Sequence, residues 1–303
     1  MKKTLKKISL VLLIAALMLT VTGCSASDYK TATQLMESGD AAAASEMFKA
    51  LGDYKDSAAL ANECDYTVAK DTYNAGEYEK AAELFAALGD YEDSEAMAIQ
   101  AGDHALAQKL VGEWFSAEAD VTDLFTDAIY STVSGDAEAE ALFASMDFGK
   151  LTLRYRITFT EKGTFSAEAD EKAMSALVNN ILNIFTDGVY SYMIDAFTQT
   201  AEENGMTLES LMSAYGCNTF DDFFAVAAGE SFSDFISSFL TKDDLMAMNE
   251  QSAINGVFTV ENGTIELSYG KDGTGCVEYD ASSDTVLLTD GDIAITNLAF
   301  SRT

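Results

Sequence analysis

Leu51-Gly52-Asp53-Tyr54-Lys55-Asp56-Ser57 returns 37 residues later as Leu88-Gly89-Asp90-Tyr91-Glu92-Asp93-Ser94. Other positions keep the same register: Tyr29 with Tyr66, Ala32 with Ala69, Gly39 with Gly76, Ala44 with Ala81, Phe48 with Phe85. A period of 20–50 residues marks supersecondary units that stack because none buries its apolar face alone. Within one unit, Tyr78, Ala81, Ala82, Leu84, Phe85 and Leu88 recur at helical spacing. Gly89 ends that helix, since glycine takes the left-handed conformation at a C-terminus. Asp93 or Ser94 is expected to cap the next helix with a side-chain oxygen. The longer helix before it is expected from Ser57 to Ala75. The repeat junctions Gly52, Asp53, Tyr54 and Gly89, Asp90, Tyr91 are thus the first candidate site.

Composition narrows the function classes. The 303 residues carry 50 acids and 18 bases, a formal charge of −32. That balance argues against nucleic acid as a partner. A hydrophobic content of 48% is enough to bury a core. There is no proline, where about 15 are average for this length, so Gly, Asn, Asp and Ser make every break. His104 is the only histidine, which excludes a multi-histidine zinc site. No phosphate-binding loop or dinucleotide-binding glycine fingerprint occurs, and no cofactor is expected. The acid pairs Glu202/Glu203, Asp221/Asp222 and Asp243/Asp244 are expected to adjoin helix starts, where capping and the helix dipole account for them. Cys64, Cys217 and Cys276 leave an odd count after Cys24. A Cys217–Cys276 bridge is open to them, as are three buried thiols.

The N-terminus reads as an address. Lys2, Lys3, Lys6 and Lys7 precede an apolar run from Ile8 to Thr20, which is too short to span a bilayer. Val21-Thr22-Gly23-Cys24 follows, and here the chain resembles a bacterial lipoprotein signal. The resemblance implies cleavage of residues 1–23, a diacylglycerol anchor on Cys24, a short tether at 24–27 and an extracytoplasmic place at the cell membrane. Residues 28–110 resemble tetratricopeptide-type helical repeats, without that family's proline or early tryptophan. Such an array is either a groove for a partner protein or a spacer.

From residue 111 the pattern changes to strands with helical inserts expected at 121–146 and 171–250. Strands are expected at Trp114–Asp120 and Phe148–Thr160. In the latter, Leu151, Leu153, Tyr155, Ile157 and Phe159 alternate with polar residues. Glu161-Lys162-Gly163-Thr164 and Glu261-Asn262-Gly263 are hairpin turns. Later strands are expected at 275–279, 285–289 and Ile293–Phe300. The Gly112-x-Trp114 pair and Arg302 make 111–303 resemble a lipocalin-like domain, in which the tryptophan floors the barrel and the arginine lies over it. The phrase Phe159-x-x-x-Gly163-Thr164-Phe165 is similar to that of Gram-positive lipoproteins with acidic helical inserts. The expected class is therefore a multidomain α + (α+β) protein. An antiparallel helical-repeat array precedes an antiparallel lipocalin-like barrel, or strongly curved sheet, with helical insertions.

Phe220, Phe223, Phe224, Phe232, Phe235 and Phe239, near Met206, Met212, Met246 and Met248, either line a site for a small apolar ligand or form an ordinary core. The leading functional expectation is a non-enzymatic protein-interaction or scaffolding lipoprotein at the cell envelope. A carrier or sensor of an apolar ligand comes second, and a hydrolase working through two carboxylates third. The proline-free chain has one kinetic consequence. Its refolding should lack the tens-of-seconds phase of prolyl isomerisation, and a phase accelerated by a prolyl isomerase would contradict this.

Overall fold

The computed structural model describes residues 25–239, 241–243, 246, 253–291, 295 and 297–302. Val21, Thr22, Gly23, Cys24, Asp244, Met248 and the side chain of Phe239 lie outside the described residues. The chain forms two compact units. One holds the residues up to Leu110 with Thr259–Ile265, and the other holds Val111–Phe258 with Glu266–Thr303. Among the described residues, no helix is long and apolar enough to cross a membrane.

The first unit is helical: α1 (25–37), α2 (Ala41–Leu51), α3 (Ser57–Asn74), α4 (Tyr78–Leu88) and α5 (Ser94–Leu110). Consecutive helices pack through alanine, and small side chains let helix axes approach closely. Ala32, Ala44, Ala69, Ala81 and Ala101 are fully buried, as are Phe48 and Phe85. Both LGDY junctions make one turn. Gly52 and Gly89 have φ of +56° and +58°. Lys55 and Glu92 sit at φ +54° and +50°, a left-handed conformation that few residues other than glycine adopt. Asp56 makes no cap hydrogen bond to α3. Its carboxylate is engaged elsewhere, as shown below. Ser57 Oγ donates to the Tyr54 carbonyl at 2.6 Å, whereas the equivalent Ser94 Oγ is buried with no hydrogen-bond partner among the described residues.

The second unit contains a closed antiparallel barrel of eight strands, in the order β1-β10-β9-β8-β7-β6-β5-β4. The strands are β1 (Gly112–Ser116), β4 (Tyr155–Phe159), β5 (Thr164–Ala169), β6 (Ile254–Glu261), β7 (Thr264–Tyr269), β8 (Gly273–Asp280), β9 (Thr285–Gly291) and β10 (Ala299–Ser301). β2 (Ala119–Asp120) and β3 (Thr152–Leu153) form a separate two-stranded ribbon. Inward positions alternate along each strand as the period of two requires. Trp114, Ile157, Phe159, Phe165, Ile265, Leu267, Val286, Leu288 and Phe300 are all buried.

Four expected elements differ from the sequence reading. The 114–120 strand breaks at Ala117-Glu118. There Ser116 turns its hydroxyl inward, donating to the Ala117 carbonyl at 2.7 Å and accepting the Tyr155 amide at 2.9 Å. The 148–160 strand is split at Arg154, whose carbonyl accepts the Asp170 amide at 2.8 Å. Its apolar face is buried as the alternation requires, at Leu151, Leu153, Ile157 and Phe159. The insert at 121–146 is two helices, α6 (Thr122–Val133) and α7 (Ala137–Ala144), parted at Gly135 (φ +95°). Asp136 caps α7, accepting the amides of Glu138 and Ala139, each at 3.1 Å. The last strand is only three residues long, because Asn297 (φ +68°) turns the chain and donates its amide to the Leu288 carbonyl at 2.7 Å.

The second insert is α8 (Glu171–Glu203), α9 (Leu208–Ala214), α10 (Phe220–Ala228) and α11 (Phe232–Phe239). α8 runs unbroken through Gly188, where a Cβ would come within 2.6 Å of Met146 Cγ. Asp170 caps α8, accepting the Ala173 amide at 3.0 Å. Burial alone would raise its pKa, but that amide and the Arg154 guanidinium, at 3.1 Å, outweigh burial and hold the carboxyl below its ordinary value. The Cys217–Cys276 bridge is not formed, and Cys64, Cys217 and Cys276 are free thiols.

Gly256 sets the tightest contact in the barrel wall. A Cβ there would lie 2.1 Å from the Ser268 carbonyl oxygen and 2.7 Å from a ring carbon of Phe165, its partner across β5–β6. Backbone cannot yield as a side chain does. Gly256→Ala should therefore destabilise the fold by about 1–3 kcal/mol in urea unfolding, and unchanged stability would refute the close packing.

Candidate functional site

The two repeat junctions are built from the same contacts. In the first, the Tyr29 ring meets Phe48 edge-on at 5.7 Å and Tyr54 at 5.9 Å. In the second, Tyr66 meets Phe85 and Tyr91, each at 5.8 Å. The tyrosine hydroxyl then donates to an acid 27 residues on. Tyr29 bonds Asp56 Oδ1 at 2.6 Å, and Tyr66 bonds Asp93 Oδ1. Each junction is thus a half-buried aromatic pair under an exposed carboxylate. Asp53, Asp56, Asp90, Glu92 and Asp93 all face solvent.

The junctions differ in their cations. Lys55 lies over Tyr29 at 4.1 Å and Tyr54 at 5.4 Å, an arrangement that stabilises by about 0.5–1 kcal/mol at exposed sites. The equivalent residue of the second junction is Glu92, and there Lys70 lies 5.3 Å from the Tyr66 ring. The first unit also pairs Lys49 with Asp65 at 2.9 Å, and Asp65 accepts Ser45 Oγ at 2.5 Å. The second surface is therefore the more negative.

The hydrogen bonds set the titration of these groups. The bond to Asp93 pushes Tyr66 up to about 12, and the bond to Asp56 raises Tyr29. Reciprocally, the Tyr29 hydroxyl holds Asp56 below the usual carboxylate range. The sequence reading found the junction glycines and acids but not the Tyr–Asp pairing. Its one signal was the equal spacing of Tyr29 to Asp56 and Tyr66 to Asp93.

The remaining candidates fall in three places. His104 is exposed, tilted against Tyr78 at 4.8 Å and edge-on to Tyr73 at 5.7 Å. Among the described residues, no group of three His, Cys, Asp or Glu side chains is placed to hold a metal. Arg302 and Trp114 are together. The guanidinium carbon lies 4.3 Å from the ring centroid, Tyr279 meets the indole edge-on at 6.1 Å, and Arg302 donates to the Val111 carbonyl at 3.4 Å. Phe220, Phe223, Phe224 and Phe232 are buried and Phe235 is half-buried. They face one another and the outer half of α8, with Phe224 at 5.3 Å from both Phe232 and Phe235, and Phe197 at 5.2 Å from Phe223. That cluster draws only on residues of the two inserts. It forms the core of the inserts, with its rings packed on one another.

The protein therefore joins a helical array with a duplicated aromatic–acidic junction to a closed eight-stranded barrel carrying helical insertions. No protein-family model, curated protein or solved structure matches the chain.

The raised tyrosine pKa has a defined pH signature. A proton held more tightly in the folded state contributes stability that is full below pH 10 and is lost as pH rises through about 12. Tyrosinate absorbance should show Tyr66 still protonated at pH 11, and Asp93→Asn should return it toward the ordinary value near 10. Identical titrations of the two proteins would refute the pairing.

Proposed function

We propose that the protein is an extracytoplasmic lipoprotein, held at the membrane by a diacylglycerol anchor on Cys24, whose tetratricopeptide-like repeats bind a partner protein. The supporting observation is the duplication itself. Two junctions 37 residues apart present half-buried tyrosines beneath exposed acids in matching geometry. Tyrosine offers a large, rigid contact surface with a polar tip. The carboxylates around it favour a basic partner segment through electrostatic complementarity. The lipocalin-like barrel serves as a rigid body in this reading. Its inward positions carry Trp114, Phe159, Phe165 and Phe300, and this favours the interaction role over a carrier of apolar ligands.

The anchor and the binding surface are separable by experiment. Crosslinking on intact cells should recover a defined partner with the intact chain. Asp53→Lys with Asp90→Lys should reduce recovery at least tenfold while leaving membrane fractionation unchanged. Cys24→Ala should release the protein from the membrane fraction. Unchanged recovery from the double lysine variant would remove the junctions from the proposal, and membrane retention of Cys24→Ala would remove the anchor.

A further inference from the structure

The two repeat junctions match in shape and differ in charge. Tyr29 meets Tyr54 at 5.9 Å and 66°, and Tyr66 meets Tyr91 at 5.8 Å and 65°. The residue after the second tyrosine has the same backbone in both, Lys55 at φ +54° and Glu92 at φ +50°. In the first junction this residue sends its ammonium over both rings, 4.1 Å from the Tyr29 centroid and 5.4 Å from that of Tyr54. The chain itself therefore shows which group such a ring pair receives, since the faces of tyrosine rings attract a cation.

In the second junction the equivalent residue is an acid. Among the described residues, no basic side chain lies over Tyr91. Lys70 lies over Tyr66 alone, at 5.3 Å. It belongs to α3, four residues past Tyr66, where the first unit has Thr33. A further acid, Glu63, stands where the first unit has Ala26. Burial raises the pKa of Tyr91, and the charges of Glu63 and Glu92 raise it further. Tyr66 and Tyr91 are half-buried, while Glu63, Glu92 and Asp93 are exposed. A preformed ring pair ringed by carboxylates is thus open to solvent.

We propose that Tyr66 and Tyr91 seat the ammonium of a lysine from the partner segment, in the position that Lys55 fills over Tyr29 and Tyr54. This rests on the reading of the repeats as a binding module for a basic partner, and it makes that module one-sided. The first junction is closed by its own lysine, and the second receives one. A primary ammonium carries N–H donors that the carboxylates of Glu63 and Glu92 can accept, which a quaternary ammonium lacks.

The probe is n-butylammonium, added to the full chain at constant ionic strength, with the ring signals of carbon-13-labelled tyrosines followed by NMR. Saturable shifts should appear at Tyr66 and Tyr91 and not at Tyr29 and Tyr54. Glu92→Lys copies the first junction and should weaken binding by about fivefold or more. Lys55→Glu should bring Tyr29 and Tyr54 into the response, with circular dichroism confirming that both variants are folded. Absence of saturation at Tyr66 and Tyr91, equal shifts from n-butanol, or unchanged binding in Glu92→Lys would overturn the seat. Tighter binding of tetramethylammonium, the cation of choline headgroups, would overturn the lysine assignment. The titration needs no partner, so it is separate from crosslinking on cells. A partner recovered without butylammonium binding would remove the seat and leave the repeats' role standing, and butylammonium binding without a recoverable partner would do the reverse.

Discussion

Everything in the second unit depends on β1 finding both of its neighbours. A meander of strands becomes a barrel only when its first strand bonds the last, which removes the free edges of the sheet. Here β1 pairs β4 through Trp114 and Ile157, and β10 through Phe115 and Ser301. The stretch between β1 and β4 holds an entire helical insert, and a second insert divides β5 from β6. The closing residues are among the most buried in the chain, with Trp114, Ile157 and Phe300 all fully enclosed. Arg302 completes the same end, as its guanidinium covers the indole and donates to the carbonyl of Val111.

The second insert joins this wall at Asp170. Its amide bonds the Arg154 carbonyl, and its carboxylate caps α8 and accepts the Arg154 guanidinium. One residue thus ends β5, starts the longest helix and fixes the break between β3 and β4. A buried carboxylate is costly unless its oxygens are satisfied, and here each bond it makes also directs the chain. Arg156 plays a related part on the outer face, where it pairs Glu113 at 3.2 Å and also bonds Glu168.

Much of this was legible in the sequence because it rests on periodicity. The 37-residue repeat located α2 and α4, Gly163 and Gly263 located two hairpins, and alternation located the buried face of Leu151 to Phe159. The failures have a common physical source. Ser116, Arg154 and Asn297 break strands through hydrogen bonds to Tyr155, Asp170 and Leu288, and no local pattern reports those. The junction pairing of tyrosine with acid was hidden for the same reason. Asp56 lies where a helix cap is expected, and only the stacked neighbour reveals its other partner. At the Phe-rich insert, composition admitted a ligand lining but favoured an ordinary core. Ring contacts within the inserts describe a core.

α8 is 33 residues long, about 50 Å of helix, and it serves two cores. Its first half packs Ile181 and Leu177 with Val121, Phe148 and Leu153, while its second half packs Val189 and Phe197 with the insert phenylalanines. Met146 is common to both clusters and fills the space above Gly188, where they meet. Cores that share so little open separately, since cooperativity follows contiguous packing. The outer half of the insert is therefore packed around a core of its own, joined to the inner one through Met146.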